Sequence, residues 1–336
     1  MQLLKAALGS FAVTRFVCAT LGGARVGVLT NPGACGFEHN GHVQSKIDTV
    51  ALFNGLGLSG GQCVYSRFKV LLEIDVLAVT TELDLVLDCD TPVIFKLVPS
   101  LRPDQVIRGL VFDLAGGLEE THFLDGHGNA CVRALMRRGA SSLRVAFQGQ
   151  QISDASARAG QFVPIQALPI AVLPFLQPSR YCEADQFLNL TRDVINGCSP
   201  GFEQVLRICT FVQTKFTYAP GSSTAPRSAL AAMQDNIGVC RDFAHVSIAM
   251  LRSISIPARY VVGYLGGLLP QDIHAWGEAY VGNQWVAFDA TPGLGPGERI
   301  AIAVGRDAAE VAIMDQFGPL PSSSQMQVSV RVQDSV

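Results

Sequence analysis

The stretch Gly238-Val239-Cys240-Arg241-Asp242-Phe243-Ala244-His245-Val246-Ser247-Ile248-Ala249-Met250-Leu251 decides the fold. Phe243, Ala244, Ile248, Met250 and Leu251, continued by Ile254, recur at close to 3.6-residue spacing. Gly238 stands just ahead as a turn residue, and no proline intervenes before Pro257. The spacing predicts a buried helix that begins at Cys240. A sulfur there sits at the positive end of the helix dipole, beside N–H groups with no partner inside the helix, and both features favour thiolate over thiol. The position suits a nucleophile. His245, five residues further along the same helix, points away from that sulfur and reads as a core or helix-surface histidine.

Outward from this helix come three short segments rich in β-branched and aromatic residues, at 258–264, 273–281 and 284–289, each bounded by Gly, Pro or Asn. They read as strands, the last two joined by a hairpin through Gly282-Asn283. In an antiparallel pair the start of one strand faces the end of the next, which places His274 and Asp289 at one edge. A Cys at a helix start, a His at one strand end and an Asp at its neighbour's end supply a nucleophile, a base and a group to orient the base. A lone Cys at a helix start would more often be packing than chemistry, so the constellation carries the reading.

The order GVCRDFAH (238–245), IPARYVVGY (256–264), HAWGEAYV (274–281) and WVAFDATPG (285–293) resembles the bacterial transglutaminase-like superfamily of papain-like cysteine enzymes. Four segments match in the right order, where any one alone would be weak. The resemblance covers the second half of the chain firmly and residues 67–150 more loosely. It implies Cys240 as nucleophile, His274 as general base and acid, and Asp289 as its orienting partner. The segment 178–185 resembles the family's entry into the catalytic domain, and Gly305-Arg306-Asp307 resembles a turn that closes its core.

The fold expected is α+β: a core of helices on an antiparallel sheet, preceded by an antiparallel β-domain. The expected divisions are an atypical segment 1–64, a β-domain 65–162, a proline-rich connector 163–180 and a catalytic domain 181–336. Alternating or apolar runs at 68–75, 93–98, 131–135 and 143–147 supply strands to the β-domain, and the tail 326–332 a final strand. Helices are expected at 183–195, 202–214 and 227–235. Residues 1–64 are Gly-rich and weakly periodic. They are expected to be a poorly ordered segment ahead of the native start, and Arg15 interrupts the only run that resembles a signal peptide.

A net charge of -3 argues against nucleic acid as principal partner, and the apolar run 163–176 is broken by Pro164, Pro169 and Pro174, so no stretch reads as a bilayer span. Nine cysteines without a C-x-x-C pair suggest neither a disulfide framework nor a zinc site. A reducing cytoplasm fits, and no cofactor or metal is called for. Cys182 also lies near a helix start but has no His and Asp set of its own, and Cys209 falls on the apolar face of the helix at 202–214. Trp276 and Tyr264 are the candidate substrate-contacting aromatics, although Trp in a strand is more often core. The activity expected is a cysteine-dependent amide hydrolase, a peptidase acting on a peptide or protein amide. The alternatives are amine acyl transfer to a protein glutamine, and an interaction protein with a vestigial triad.

Overall fold

The computed structural model describes residues 16–21, 24–29, 76–152, 160–223, 227–294 and 298–333, the first two segments for their backbone alone. The chain divides into two compact units, Met1–Leu72 and Glu73–Val336. In the first, β1 (Phe16–Leu21) and β2 (Ala24–Leu29) pair as an antiparallel hairpin, regular structure that the weak periodicity of this region does not announce. The order expected of the rest of 1–64, and the strand at 68–75, lie outside the described residues.

The second unit opens on β3 (Val76–Leu87), whose Leu77, Val79, Leu83, Leu85 and Leu87 are buried while alternate residues face outward. It continues through β4 (Thr91–Phe95), β5 (Gln105–Ala115), β6 (Gly117–Leu124), β7 (Ala130–Met136) and β8 (Gly139–Gln151). Among these, β5 and β6 escape a reading by apolar runs because both are sheet edges with mostly exposed side chains, and each carries a bulge. The connector runs as two short 3-10 turns, Ile165–Ala167 and Ile170–Leu176, each entered through a proline.

Among the described residues four α-helices follow: α1 (Leu188–Val194), α2 (Phe202–Lys215), α3 (Ala229–Asp235) and α4 (Cys240–Ser253). The helix expected over 183–195 is broken into a 3-10 turn, Ala184–Gln186, and α1, with Phe187 buried at the joint. Two residues each of β9 (Thr217–Tyr218) and β10 (Ile237–Gly238) pair in parallel just ahead of α4. After α4 come β11 (Ala258–Leu265), β12 (His274–Val281), β13 (Gln284–Phe288) and β14 (Arg299–Gly305), an antiparallel sheet in the order β13-β12-β11-β14.

Every residue of α4 from Asp242 to Arg252 is buried, because the sheet covers one side and the other helices the rest. Phe243, Ile248, Met250 and Leu251 are fully enclosed, and each such side chain contributes about 1.5–3 kcal/mol relative to exposure. Arg252, buried at the far end, donates to the carbonyls of Gln177, Ala258 and Arg306 and to the Ser179 hydroxyl. That satisfies a cation which would otherwise be costly to bury.

The last two strands, β15 (Met314–Gln316) and β16 (Ser323–Gln333), correct the expected boundary at 181–336. They pair with β4 and β3 in the sheets β15-β4-β7-β6 and β16-β3-β8-β5, so the chain returns to complete the β-domain. Period-two alternation identifies a strand but not the sheet edge whose N–H and C=O groups it satisfies.

Candidate active site

Cys240 is the first residue of α4 and is half-buried. Its position is fixed from behind. The Asp242 carboxylate, itself inaccessible to solvent, accepts the Val239 N–H at 2.9 Å, an orphan donor at the helix start. Gly238 is required there: a Cβ would lie 2.7 Å from the Asp242 Cβ. On the other flank Arg241 reaches the Ser223 hydroxyl at 2.7 Å and draws the 221–223 loop to the helix start.

His274 and Asp289 arrive by the hairpin between β12 and β13, whose corner residues Gly282 and Asn283 both have positive φ, as a two-residue primed turn demands. The Nε2 of His274 lies 2.7 Å from Oδ2 of Asp289. The Cys240 thiol is close enough to act on the protonation of the same ring. Burial alone would lower the pKa of His274. The bond to Asp289 and the nearby Cys240, with their charges, outweigh it and push the value up to about 9. Burial likewise works against ionisation of Asp289, but His274, the Thr291 N–H at 2.9 Å and the Arg299 guanidinium at 3.3 Å hold its carboxyl below the ordinary carboxylate range. Imidazole and carboxylate therefore form a bonded pair beside the Cys240 thiol.

Arg299, at the head of β14, is a site residue that the sequence reading missed, since nothing local signals a contact with Asp289 ten residues earlier. The Asp242 cap was legible in principle as an acid three residues after Val239. Gln271 was also missed. Its side-chain amide makes both bonds to the backbone of Val330 in β16, at 2.7 and 3.1 Å, and so anchors the loop that leads into His274.

Both substrate-contacting aromatics are corrected. Tyr264 is fully buried and its hydroxyl is spent on Thr81 of β3 at 2.6 Å, so it ties the sheet to the β-domain. Trp276 is 2% exposed. Its ring lies 6.3 Å from that of His274 at an interplanar angle of 21°, with Arg299 6.0 Å over it, so it backs the imidazole rather than lining an open cleft. The rival thiols are unsuited to chemistry: burial pushes the pKa of Cys182 up to about 12 and that of Cys209 higher still. His245 is buried and holds two backbone groups, with Nδ1 on the Arg227 carbonyl and Nε2 accepting the Ala308 N–H. Burial lowers its pKa to about 4, so it stays neutral as a structural pin. Among the described residues no group of three or more His, Cys, Asp or Glu side chains could hold a metal ion, and no helix is long and apolar enough to cross a membrane.

Helices on an antiparallel sheet, with Cys, His and Asp brought together in that chain order, define the cysteine-protease-like class. Residues 188–290 match the family model of the transglutaminase-like superfamily. The structure of a candidate cysteine protease from Cytophaga hutchinsonii is similar at 30% identity and a TM-score of 0.71, over 79% of this chain and 93% of that one. The chain belongs to the transglutaminase-like superfamily and carries a β-domain ahead of the core. An uncharacterised protein of Mycobacterium leprae is 37% identical over 32% of this chain and 42% of its own length. One of Mycobacterium tuberculosis is 33% identical over 32% of this chain and 40% of its own. The chain thus spans about two-fifths of the length of these curated relatives.

Proposed function

We propose that this protein is a cysteine-dependent amide hydrolase, a peptidase, that works through Cys240, His274 and Asp289 and a thioester intermediate. The observation that carries this reading is the 2.7 Å contact between His274 and Asp289 on an imidazole whose protonation the Cys240 thiol also favours. A pKa near 9 keeps His274 protonated at neutral pH, which matches an imidazolium paired with a thiolate. The thiolate attacks the amide carbonyl, forming the S–C bond as the π pair moves to oxygen. The imidazolium then gives its proton to the amine nitrogen as the C–N bond breaks. The neutral imidazole next takes a proton from water while that water attacks the thioester, and the acid and the thiolate are released. The Cys240 N–H, at the first position of α4, is one donor to the oxyanion.

Hydrolysis is favoured over transfer to a lysine amine by the placing of the tryptophans. Acyl transfer requires a dry channel that excludes water. Trp276 is enclosed behind His274, and Trp285 is taken up by Phe175, Tyr280 and a stacked Arg259. Neither is available as a channel wall. The site is tested by a peptide library supplied with and without a primary amine, against a Cys240→Ala control. The expected result is cleavage that needs Cys240 and is little altered by amine. Amine incorporation without cleavage would make the protein a transferase, and no turnover beyond that of Cys240→Ala would remove the catalytic reading.

A further inference from the structure

Resting on the Cys240, His274 and Asp289 reading above, we propose that Arg299 is a positioning residue that acts on His274 through Asp289. It shares the carboxylate oxygen that receives the imidazole, and so loosens the hold of Asp289 on the His274 proton. Oδ2 of Asp289 lies 2.7 Å from Nε2 of His274 and 3.3 Å from Nη2 of Arg299, while Oδ1 accepts the Thr291 N–H at 2.9 Å. The carboxylate is fixed at both oxygens, and two cations meet on one of them whenever His274 is protonated.

The guanidinium is held in that place from several sides. Arg299 pairs with Leu265 at the end of β11, and its backbone N–H donates to Gln151 Oε1 of β8 at 3.2 Å. Its Cζ lies 6.0 Å from the Trp276 ring, the same indole that stands 6.3 Å from the His274 ring. The Arg299 and Asp289 side chains are only 13% and 9% exposed, so solvent screens their attraction little.

The other charges around the pair do not share this role. The Cys240 thiol favours the imidazolium, as Asp289 does. Burial, and then neighbouring anions, raises the pKa of Cys209 on α2 and of Tyr218 on β9, so both stay neutral near pH 7. Asp272, ahead of β12, and Glu298, beside Arg299 in the chain, are acids, which favour a protonated ring rather than oppose it. On α4, Arg241 is turned to Ser223, and Asp242 faces Arg227 at 3.7 Å. Arg102, Asp104 and Glu278 line the recess that Trp276 and Arg299 share. There Arg102 is bonded to Asp104 and Glu278 at 2.6 and 2.7 Å, and Arg259 to Glu278 at 2.6 Å. Among the described residues, Arg299 is the cation besides His274 that bonds Asp289.

The chemistry benefits from such a counterweight. The imidazolium must give its proton to the departing amine, and a carboxylate with no rival partner would hold that proton more firmly and slow its delivery.

The titration midpoint of His274 tests this. It is read by NMR from isotope-labelled histidine rings in the full chain, the signal being identified by its loss in His274→Ala. Arg299→Gln keeps an N–H for the carboxylate and removes the charge, Arg299→Met keeps the stem over Trp276, and Arg299→Lys keeps the charge. The midpoint is expected to rise by roughly 0.5–1.5 pH units in the two uncharged variants and to rise least in Arg299→Lys. Either uncharged variant suffices if a thermal melt shows that it folds. An unchanged midpoint, with or without a lowered Tm, would overturn the inference by leaving Arg299 idle or merely structural. A lowered midpoint would overturn it too, because Arg299 would then serve to press Asp289 onto the ring rather than to draw on its charge. Alkylation of wild-type Cys240 with iodoacetamide is a separate arm: it removes the thiolate and is expected to lower the midpoint. A midpoint that stays put on alkylation would remove the thiolate–imidazolium reading and leave the comparison at Arg299 intact.

Discussion

His274 is held by Asp289 through Nε2, and the pH behaviour of the pair follows from its two shifts. The folded pKa of His274 is raised to about 9 from an ordinary 6.5. Its contribution to stability is therefore complete below about 6.5 and lost as the pH rises through about 9. Asp289 is shifted the other way, below 3.8. Its contribution is present above that value and lost as the pH falls through its depressed pKa. Replacing Asp289 with Asn keeps the shape but stabilises the imidazolium less and allows the wrong tautomer. Turnover is expected to fall roughly tenfold to a thousandfold, less than for a serine enzyme because a thiolate is intrinsically nucleophilic. Steady-state kinetics beside a thermal melt check this: unchanged turnover with a lowered Tm would make Asp289 structural. The placing of Cys240, His274 and Asp289 was legible because helix start, strand start and hairpin end are local patterns. Arg299 was not, since it reaches Asp289 from another strand of the sheet, a placement that leaves no mark on its own neighbours. Trp276 and Tyr264 misled for a related reason. An aromatic residue in a strand declares apolar surface, not whether that surface meets substrate, an imidazole or another sheet.

At the scale of the element, α4 depends on how its first turn is closed. The Val239 N–H is satisfied by Asp242, and that carboxylate fits only because residue 238 has no side chain. Gly238→Ala is expected to push Asp242 aside, leave a buried donor and a buried carboxylate poorly paired, and cost about 1–3 kcal/mol. It should also slow modification of Cys240, because the helix start moves with its cap. A melt coupled to alkylation kinetics tests both at once, and a variant with wild-type Tm and wild-type alkylation would show that the cap is slack. The helix was readable from its apolar spacing, and its start from Gly238 and the run that follows. Its enclosure on all sides was less so, because Ser247, His245 and Arg252 look polar in sequence. They are buried through bonds to the Phe243 carbonyl, to two backbone groups and to a cluster of carbonyls respectively.

Across the whole unit 73–336, the β-domain and the catalytic sheet are joined by charge as well as by apolar packing. Glu278, four residues beyond His274 on β12, is buried between Arg102, which precedes β5, and Arg259 of β11, at 2.7 and 2.6 Å. Burial opposes its ionisation, but the two guanidinium groups push its pKa down to about 2. Glu278→Gln would leave two buried cations facing a neutral amide, a loss of about 3–5 kcal/mol, and the Tm is expected to fall by roughly 6–20 °C. An unchanged Tm would mean that water already screens the group. The Arg-Glu-Arg contact, the return of β15 and β16 to the β-domain and the clamp of Gln271 on β16 all join residues distant in sequence. None was legible, since alternation and composition report what a segment buries, not what it meets.

The account stands on one claim, that Cys240 is ionised by His274 in the folded protein. It is tested most directly by the rate of iodoacetamide alkylation at each cysteine between pH 5 and 10, followed residue by residue in wild type and in His274→Ala. The expected profile for Cys240 is already fast near pH 6, where an ordinary thiol of pKa about 8.5 is almost wholly protonated, and it should shift upward in His274→Ala. Cys182 and Cys209, sealed in the core, should remain unlabelled while the fold persists. A Cys240 profile that rises only near pH 8.5 and does not change in His274→Ala would contradict the claim.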